Sequence, residues 1–203
     1  EFDAIVVRSA TKVTSGLIAA ADNLKVIGRA GVGVDNVDLD AASMRGVMVV
    51  NAPTSTVISA AEHTIALMFA LARNVAQGDA TMKAGEWARG RLGGIELSGK
   101  TLVVLGLGRI GQLVAERARA LGMQVVAYDP FVARDRFHRL GVEYAATIEE
   151  ALPQGDVISL HMPLNDDTRG MISNDQLAAM RHGARLINCA RGALVDLDAL
   201  NEA

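Results

Sequence analysis

Three closely spaced glycines form the most chemically specific pattern in this sequence. Gly106, Gly108 and Gly111 follow an apolar run at residues 101–105 and precede a segment with helical periodicity. In such a strand, turn and helix, the first glycine permits the tight turn, the second lets the backbone approach a pyrophosphate, and the third allows the helix to pack closely on the sheet. The pattern predicts a dinucleotide site, although glycines at this spacing also serve a tight turn alone.

An acidic residue follows at the distance that a dinucleotide site requires. The next apolar run, residues 124–128, ends at Asp129, about 20 residues beyond the glycines. Its carboxylate can accept hydrogen bonds from the ribose hydroxyls of adenosine and would repel a 2′-phosphate, so Asp129 favours NAD over NADP. Arg134 and Arg136 follow closely and keep the second coenzyme open.

Two series of short strands and helices must position these residues. From residue 100 on, strands are predicted at 101–105, 124–128, 156–160 and 184–188, with helices near 110–121, 147–151 and 174–180. In a first series, strands are predicted at 4–7, 25–28 and 47–50, with a helix at 13–21. Strands that alternate with helices pair in parallel, and continuously apolar strands are covered on both faces. The sequence therefore predicts an α/β fold with a doubly wound parallel sheet.

Composition excludes several classes of protein. Half of the 203 residues are hydrophobic, 21% are charged, and the formal net charge is −3. An acidic chain without a basic, aromatic-rich cluster does not favour nucleic acid as a partner. The single cysteine, Cys189, offers no metal-ligand spacing and fits a reducing compartment. We therefore expect a cytoplasmic protein with no metal and no membrane segment.

A long apolar segment separates the two series. After Asn51, Ala52 and Pro53, residues 56–77 have a helical pattern that is apolar on more than one face. We place the domain boundary after residue 53 and expect the helix to be buried against something large, such as another subunit. The chain begins in a strand-like run and stops inside a helical pattern, so we also expect it to be a piece of a longer protein.

Several segments in combination resemble the D-2-hydroxyacid dehydrogenases. They are the glycine turn at 106–111, Tyr128-Asp129-Pro130, and residues 161–164 and 188–192; residues 7–12, 28–36 and 51–53 are similar to a branch of that family that acts on 3-phosphoglycerate. The resemblance covers essentially the whole chain. It implies a Rossmann-like NAD-binding domain at residues 54–203, truncated at its C-terminal end, and at residues 1–53 part of a second, flavodoxin-like α/β substrate domain.

The resemblance also implies roles for individual residues in binding NAD. Besides the glycine turn, the residues expected in the cofactor site are Arg109 and Ile110 at the pyrophosphate, Asp129 at the ribose, and Val32, Met162, Cys189, Ala190 and Arg191 in the rest of the cleft. Arg191 is also expected to be catalytic, because a guanidinium can hold a carboxylate through two hydrogen bonds and stabilise charge on a reacting oxygen. A surface ion pair between Arg191 and Asp196 is the alternative.

For the substrate, the resemblance implies 3-phosphoglycerate, oxidised with NAD. The backbone N–H groups of Gly31, Val32 and Gly33 are expected at its carboxylate, although loop glycines also occur for turn geometry alone. Any one arginine is usually just a solvated side chain. The arginines expected at the phosphate are Arg8, Arg29 and, from a neighbouring subunit, Arg89.

Oxidation of a 2-hydroxy acid also needs a base, usually a histidine oriented by a carboxylate. His63 lies in the apolar helix and is expected to be a hydrogen-bonded structural residue, whereas His138 and His182 are expected to be exposed. His161 ends a strand near the cleft, but in the family this position lines the cofactor. The family's catalytic His and Glu lie further along the chain than Arg191, so we expect residues 1–203 to bind NAD without turning over.

Two other functions stay open. Another D-2-hydroxyacid dehydrogenase, or a glyoxylate or hydroxypyruvate reductase, would share the cofactor site. An NAD-sensing transcriptional corepressor also resembles the family, but Arg8 and Arg29 favour a phosphorylated acid over a bound peptide. The family resemblance further implies a homodimer or homotetramer through the helix at 56–77. Charge and composition, as above, favour neither nucleic acid nor a membrane as partner.

Overall fold

The chain divides into two units, and α3 (Val57–Ala72) contains the point of division. A computed structural model describes residues 2–203, with one unit that ends at Ile58 and a second at Ser59–Ala203. The sequence pattern placed the boundary after residue 53, a few residues earlier. The apolar helical pattern of α3 starts before Ser59. The boundary read from the sequence pattern and the boundary between the two compact units therefore differ.

The first unit is built on a parallel sheet of three strands. These are β1 (Ala4–Val7), β2 (Val26–Arg29) and β3 (Met48–Asn51), in that order, with α1 (Ser15–Ala20) and α2 (Leu39–Met44) between them. The side chains of Thr14 and Asp38 accept hydrogen bonds from N–H groups in the first turns of α1 and α2, which explains where both helices begin. The strands lie within one residue of their predicted bounds, whereas α2 was not predicted.

The second unit contains α3, α4 (Val75–Lys83) and a five-stranded parallel sheet. The strands are β4 (Thr101–Leu105), β5 (Gln124–Tyr128), β6 (Glu143–Tyr144), β7 (Val157–Leu160) and β8 (Arg185–Asn188). The helices that follow or separate them are α5 (Arg109–Ala120), α6 (Arg134–Arg139), α7 (Ile148–Ala151), α8 (Asn174–Ala179) and α9 (Leu197–Glu202). The strand order β6-β5-β4-β7-β8 reverses between β4 and β7, as in a doubly wound Rossmann-like sheet. The predicted fold class is confirmed.

The central strand β4 buries side chains on both faces. Leu102 and Val104 belong to one core, which includes Val114 of α5, whereas Val103 and Leu105 belong to a core on the opposite face. All five side chains are fully buried. Because both faces are covered, the strand is apolar without alternation, and it holds the glycine turn at its carboxyl end on a rigid support.

The single helix predicted at residues 56–77 is wrong, since the structure has two helices there. α3 ends at Ala72, and Asn74 adopts the left-handed conformation (φ 52°), which ends a helix and which asparagine tolerates. Asn74 Nδ2 donates to the carbonyl of Gly93 (2.6 Å), and the N–H of Ile95 donates to the carbonyl of Ala72 (2.8 Å). Contacts with this later loop therefore stop the helix where the apolar pattern continues.

α3 is buried along one face only. Ala61, Met68 and Ala72 are fully buried, whereas Phe69 and Leu71 are 40% and 46% exposed. The subunit contact expected from the sequence would cover these exposed side chains, and it stays a prediction. Neither α3 nor any other helix among residues 2–203 combines the length and apolar character that a membrane span requires.

Candidate functional site

The predicted glycine turn joins β4 to α5 and is held by close backbone packing. Gly106 has φ +98°, a conformation that side chains rarely allow, and its N–H donates to the carbonyl of Tyr128 (2.8 Å). A Cβ at Gly106 would lie 2.8 Å from the carbonyl carbon of His161, and a Cβ at Gly111 would overlap the carbonyl oxygen of Gly106. Packing within the protein therefore requires both glycines.

Packing within the protein does not explain Gly108. It precedes α5 as the N-cap, it is exposed, and a Cβ there would have no neighbour within 4 Å. Its φ of −69° suits any residue. An open backbone at a helix N-terminus is where a phosphate can approach N–H groups, and Arg109 and Ile110, the residues expected at the pyrophosphate, form the start of that helix. The turn therefore fits a dinucleotide.

Asp129, at the end of β5, contacts the turn directly. One carboxylate oxygen, Oδ2, accepts a hydrogen bond from the N–H of Leu107 (2.8 Å), and the other, Oδ1, accepts one from the N–H of Phe131 (2.9 Å). Each carboxylate oxygen can accept a second hydrogen bond. The half-buried carboxylate can therefore hold the turn and still accept hydrogen bonds from ribose hydroxyls.

The two arginines that kept NADP open have other contacts in the structure. Arg134 lies over the ring of Tyr144, with its guanidinium carbon 5.0 Å from the ring centroid, and Arg136 donates to Gln112 Oε1 (3.0 Å). These contacts direct both guanidinium groups to neighbouring side chains. The carboxylate of Asp129 bonds the turn directly, and a negative charge there opposes a 2′-phosphate.

The carboxyl ends of β7 and β8 carry the other predicted cofactor residues. Met162 follows β7, is 8% exposed, and would lie 3.0 Å from a Cβ at Gly106. Cys189 and Ala190 are half-buried directly after β8. Ligands of such sheets bind at the carboxyl ends of the strands where the strand order reverses, which is the edge that these residues share with the glycine turn.

Arg191 lies just beyond β8, and Asn188 shapes the segment that carries it. Asn188 Nδ2 donates to the carbonyl of Arg191 (2.8 Å), and Asn188 Oδ1 accepts a hydrogen bond from the N–H of Ala190 (3.0 Å). The guanidinium of Arg191 donates to the carbonyl of Ala190 (2.9 Å), and the side chain is half-buried. Asp196, the alternative partner, caps α9. These contacts hold Arg191 at the carboxyl edge of the sheet.

His161 is not arranged as a base. Its Nε2 and Ser159 Oγ share a hydrogen bond (2.8 Å), and burial lowers the pKa of His161 to about 4. His138 and His182 are exposed, as predicted. His63 is exposed as well, so its prediction as a hydrogen-bonded structural residue is wrong: it lies on the face of α3 opposite to the buried Ala61 and Thr64. Within residues 2–203, no group of His, Cys, Asp and Glu side chains could hold a metal ion.

In the first unit, the predicted phosphate-binding Arg29 is 8% exposed and bonded to its own unit. Its guanidinium donates to Ser9 Oγ (3.2 Å), Asn36 Oδ1 (3.5 Å) and the carbonyl of Ala30 (3.4 Å). A Cβ at Gly31 would overlap Arg29 Nη1, and Gly31 has φ +155°. The glycine is thus explained by the guanidinium packed against it, as well as by turn geometry.

The remaining predicted substrate residues lie in loops. Arg8 is exposed after β1, Val32 and Gly33 are half-buried after β2, and Arg89 is exposed in a 3₁₀ turn, Arg89–Arg91, of the second unit. The carbonyl of Val32 accepts a hydrogen bond from Asn51 Nδ2 (2.7 Å). The role of Val32 toward NAD stays a prediction, and so do the roles of all four residues toward the substrate.

Comparison with known proteins identifies the second unit. A model of the family described as "D-isomer specific 2-hydroxyacid dehydrogenase, NAD binding domain" matches residues 65–203, well over half of the chain. The chain belongs to the D-isomer specific 2-hydroxyacid dehydrogenase family. The matched range contains β4 to β8 and the glycine turn, and the cofactor of this domain is NAD. The predicted family and cofactor are confirmed.

Members of this family share the sequence over nearly the whole chain. The D-3-phosphoglycerate dehydrogenase of Methanocaldococcus jannaschii is 53% identical over 201 residues, which cover 99% of this chain and 38% of that relative. The chain therefore spans less than two fifths of the length of the curated relative it matches. The segments at 7–12 and 28–36, which lie outside the range of the family model, are included in this similarity.

Solved structures of family members have the same fold. D-lactate dehydrogenase from Aquifex aeolicus, complexed with NAD and lactic acid, is 36% identical with a TM-score of 0.92, over 99% of this chain and 60% of that one. NAD-dependent formate dehydrogenase from Staphylococcus aureus, in complex with NAD, is 37% identical with a TM-score of 0.92, over 100% and 61%. Both neighbours hold NAD, in agreement with the glycine turn and Asp129.

Three residues at these sites were not predicted from the sequence. Asn36 Nδ2 donates to the carbonyls of Arg8 (2.9 Å) and Thr11 (2.7 Å), and so ties two loops of the first unit together. Gln112 bonds the glycine turn, and Ser159 bonds His161. Asn36 lies in a segment that the family resemblance covered, but no spacing rule marks an amide or hydroxyl whose partners come from other loops.

Proposed function

We propose that the whole protein is an NAD-dependent dehydrogenase that oxidises D-3-phosphoglycerate to 3-phosphohydroxypyruvate, the first step of serine biosynthesis. One observation carries the substrate: a relative named for this activity is 53% identical over nearly the whole chain, whereas the lactate and formate dehydrogenases of known structure are 36% and 37% identical. The NAD site itself is common to all of them and does not distinguish the substrates.

The residues proposed to bind NAD act at different parts of it. Gly106 and Gly111 shape the turn, Gly108 leaves it open, and Arg109 and Ile110 start the helix whose N-terminus favours the pyrophosphate. The further residues proposed to line the cleft are Asp129 at the ribose and Val32, Met162, Cys189 and Ala190. The lone thiol of Cys189 is proposed to pack beside the cofactor.

Arg191 is proposed as the residue of this chain that acts on the substrate oxygens beside the reacting carbon. Oxidation removes a hydride from C2 of the substrate and a proton from its hydroxyl, and NAD, when bound, accepts the hydride. The Arg191 guanidinium would hold the substrate carboxylate and stabilise negative charge on the oxygen as the carbonyl forms. Loss of one such donor costs about 10²–10³-fold in rate in other enzymes.

The substrate phosphate is proposed to bind at the arginines of the first unit. Arg29 is buried, its partners Ser9, Asn36 and Ala30 are all neutral, and no carboxylate among residues 2–203 forms an ion pair with it. A buried charge without a counter-charge is costly, so an anion there is stabilised. Arg8, and Arg89 of a neighbouring subunit, are proposed to join it. The N–H groups of residues 31–33 are proposed to bind the carboxylate.

The nearest alternative is a D-2-hydroxyacid dehydrogenase with an unphosphorylated substrate, which the likeness to the Aquifex aeolicus D-lactate dehydrogenase favours. Steady-state kinetics of the intact protein separate the two. We expect kcat/KM for 3-phosphoglycerate to exceed that for glycerate and lactate by at least about 100-fold, since a site built to bond a substrate group rejects analogues that lack it. Equal or greater kcat/KM for lactate would overturn the proposed substrate.

We also propose that residues 1–203 alone bind NADH but do not turn over. The described histidines lack a carboxylate partner: His161 pairs with Ser159, and His63, His138 and His182 are exposed. Titration with the purified chain should change the fluorescence of NADH until the signal saturates. With 3-phosphoglycerate as substrate, the chain should reduce no NAD. Sustained NAD reduction by this polypeptide alone would contradict the proposal, whereas absent NADH binding would contradict the cofactor site.

A homodimer or homotetramer through residues 56–77, which contain α3 and the start of α4, is proposed as well. Exposed apolar side chains lie along this segment, among them Ile58 (60%), Leu71 (46%) and Val75 (56%). Their burial at about 25 cal/mol per Å² would favour association. Light scattering of the intact protein should give at least twice the protomer mass, and Val75→Asp should lower it. A monomeric mass for the intact protein would refute this assembly.

A further inference from the structure

Two side chains hold Leu107, the residue between the first two glycines of the turn, from opposite sides. Asp129 Oδ2 accepts a hydrogen bond from the N–H of Leu107 (2.8 Å), and Gln112 Nε2 donates to its carbonyl (2.8 Å). Leu107 is fully buried, so water does not replace either bond. Gln112 has no part in the dinucleotide fingerprint, and its contact with the turn is therefore an additional constraint.

A third residue sets the orientation of the Gln112 amide. Arg136 Nη2 donates to Gln112 Oε1 (3.0 Å), and a guanidinium can only donate, so the amide oxygen faces α6 and the amide nitrogen faces the turn. The backbone N–H of Gln112 also donates to the carbonyl of Gly108 (3.0 Å), within the first turn of α5. Gln112 is thereby held at its backbone and at both atoms of its amide.

The hydrogen bond to the Leu107 carbonyl also determines where the N–H of Gly108 points. The C=O of Leu107 and the N–H of Gly108 belong to one planar trans peptide group, so they point in opposite directions. With the carbonyl bonded to Gln112, the N–H of Gly108 points away from Gln112. This N–H belongs to the exposed glycine, which packing within the protein does not explain.

We propose that Gln112 is a positioning residue for the pyrophosphate: it orients the peptide between Leu107 and Gly108, and Arg136 keeps its amide in the donating orientation. The proposal rests on the proposed NAD function. Preorganised N–H groups bind an anion without the cost of ordering them at the moment of binding. Loss of the Gln112 donor therefore weakens ligands that contain the pyrophosphate and leaves others unchanged.

The test uses the intact protein and three variants. Gln112→Met keeps the length of the side chain without the amide, Gln112→Glu keeps an acceptor for Arg136 but cannot donate to the carbonyl, and Arg136→Met leaves the amide in place. Isothermal titration measures the Kd of NADH, of ADP-ribose, which contains the pyrophosphate, and of adenosine, which does not. Melting temperatures and far-UV circular dichroism verify that each variant is folded.

We expect Gln112→Met and Gln112→Glu to raise the Kd of NADH and of ADP-ribose about tenfold, and the Kd of adenosine less than about twofold. Arg136→Met should weaken NADH about two- to threefold, because the amide loses its orientation but not its donor. In turnover, KM for NAD should rise in the Gln112 variants with kcat nearly unchanged.

Two results would overturn the inference. If NADH, ADP-ribose and adenosine weaken together in the Gln112 variants, the residue supports the domain in general; if none weakens, it does not position the turn. A failure of the proposed NAD function is distinguishable from these two results, because the unsubstituted protein would then not bind NADH. Gln112→Glu keeps the test open if Gln112→Met does not fold, since it retains the contact with Arg136.

Discussion

The two units each place a glycine-containing turn at the carboxyl end of a buried strand, but opposite charges hold the two turns. After β2, Gly31 packs against the guanidinium of Arg29, whereas after β4 the carboxylate of Asp129 bonds the N–H of Leu107. A cation beside the first turn suits an anionic ligand group. In the second unit the proposed anion site is the start of α5, and the carboxylate suits sugar hydroxyls.

The two turns also differ in the segment that each one leads into. Gly108 leads directly into α5, which has 12 residues, while the segment after Gly31 runs as a loop to Asp38 before the six-residue α2. The loop is held by side chains such as Asn36, whereas the second turn is held by backbone packing at its glycines together with the side chains of Asp129 and Gln112. Substitutions should therefore affect the two turns through different contacts and different ligands.

The largest effect is expected for Gly111→Ala in the second turn. The added Cβ would overlap the backbone oxygen of Gly106, which cannot move without breaking the turn, so we expect a loss of at least about 4 kcal/mol or no folded second unit. Chemical denaturation followed by circular dichroism measures the free energy of unfolding. Gly108→Ala is the control: nothing lies within 4 Å of the added Cβ, so only the lower preference for alanine at an N-cap should reduce stability, by about 1 kcal/mol or less. Equal stability of the two variants would contradict the packing argument.

Gly31→Ala should perturb the first turn through its cation. The Cβ would overlap Arg29 Nη1 and the backbone conformation, φ +155°, disfavours a side chain, so we expect a loss of about 2–3 kcal/mol. Displacement of the guanidinium should raise KM for 3-phosphoglycerate at least about tenfold and leave the Kd of NADH unchanged. A change in the Kd of NADH without a change in KM for 3-phosphoglycerate would mean that this turn acts on NADH and not on the substrate.

Asn36→Ala removes the amide that links the loops of the first unit. The carbonyls of Arg8 and Thr11 lose their donor and Arg29 Nε loses an acceptor, which should cost about 2 kcal/mol. Asn36→Asp is a matched variant, because it keeps the acceptor and loses the donor. Thermal unfolding should rank the proteins unsubstituted, then Asp, then Ala; a reversed order of the two variants would mean that the acceptor matters little.

The two turns should also differ in their response to pH. The backbone of His161 lies against Gly106, and burial lowers the pKa of its imidazole to about 4 from 6.5. The unfolded chain therefore binds the proton more readily between those values, and stability falls as pH drops through that range. We expect about 1–2 kcal/mol less stability at pH 5 than at pH 7 from this group. The first turn and its loop, residues 28–36, contain no histidine.

The pH dependence is measured by denaturation at both pH values in the protein and in His161→Gln. The variant should lose most of the slope assigned to this residue. Exposed His138 is the matched control, and His138→Gln should retain the slope. An equal slope in the protein and His161→Gln would contradict the assignment.

Local patterns predicted most of the fold because local interactions decide it. The apolar runs of β4 and β5 and the glycines between strand and helix determine where those elements begin and end. Where distant residues decide, the prediction was wrong. α3 stops at Ala72 because Ile95 bonds the carbonyl of Ala72 and Gly93 bonds the side chain of Asn74. No local pattern at residues 56–77 contains that information.

The sequence by itself determined the family, the glycine turn, the acidic residue after β5 and the order of strands and helices, since each depends on neighbours in the chain. Only the tertiary structure decided how Asp129 and Gln112 hold Leu107 from two sides, that Asn36 ties the Arg8 and Thr11 loops, and that His63 is exposed. The physical reason is that hydrogen bonds between loops and burial depend on which segments meet, and residue type and spacing do not specify those partners.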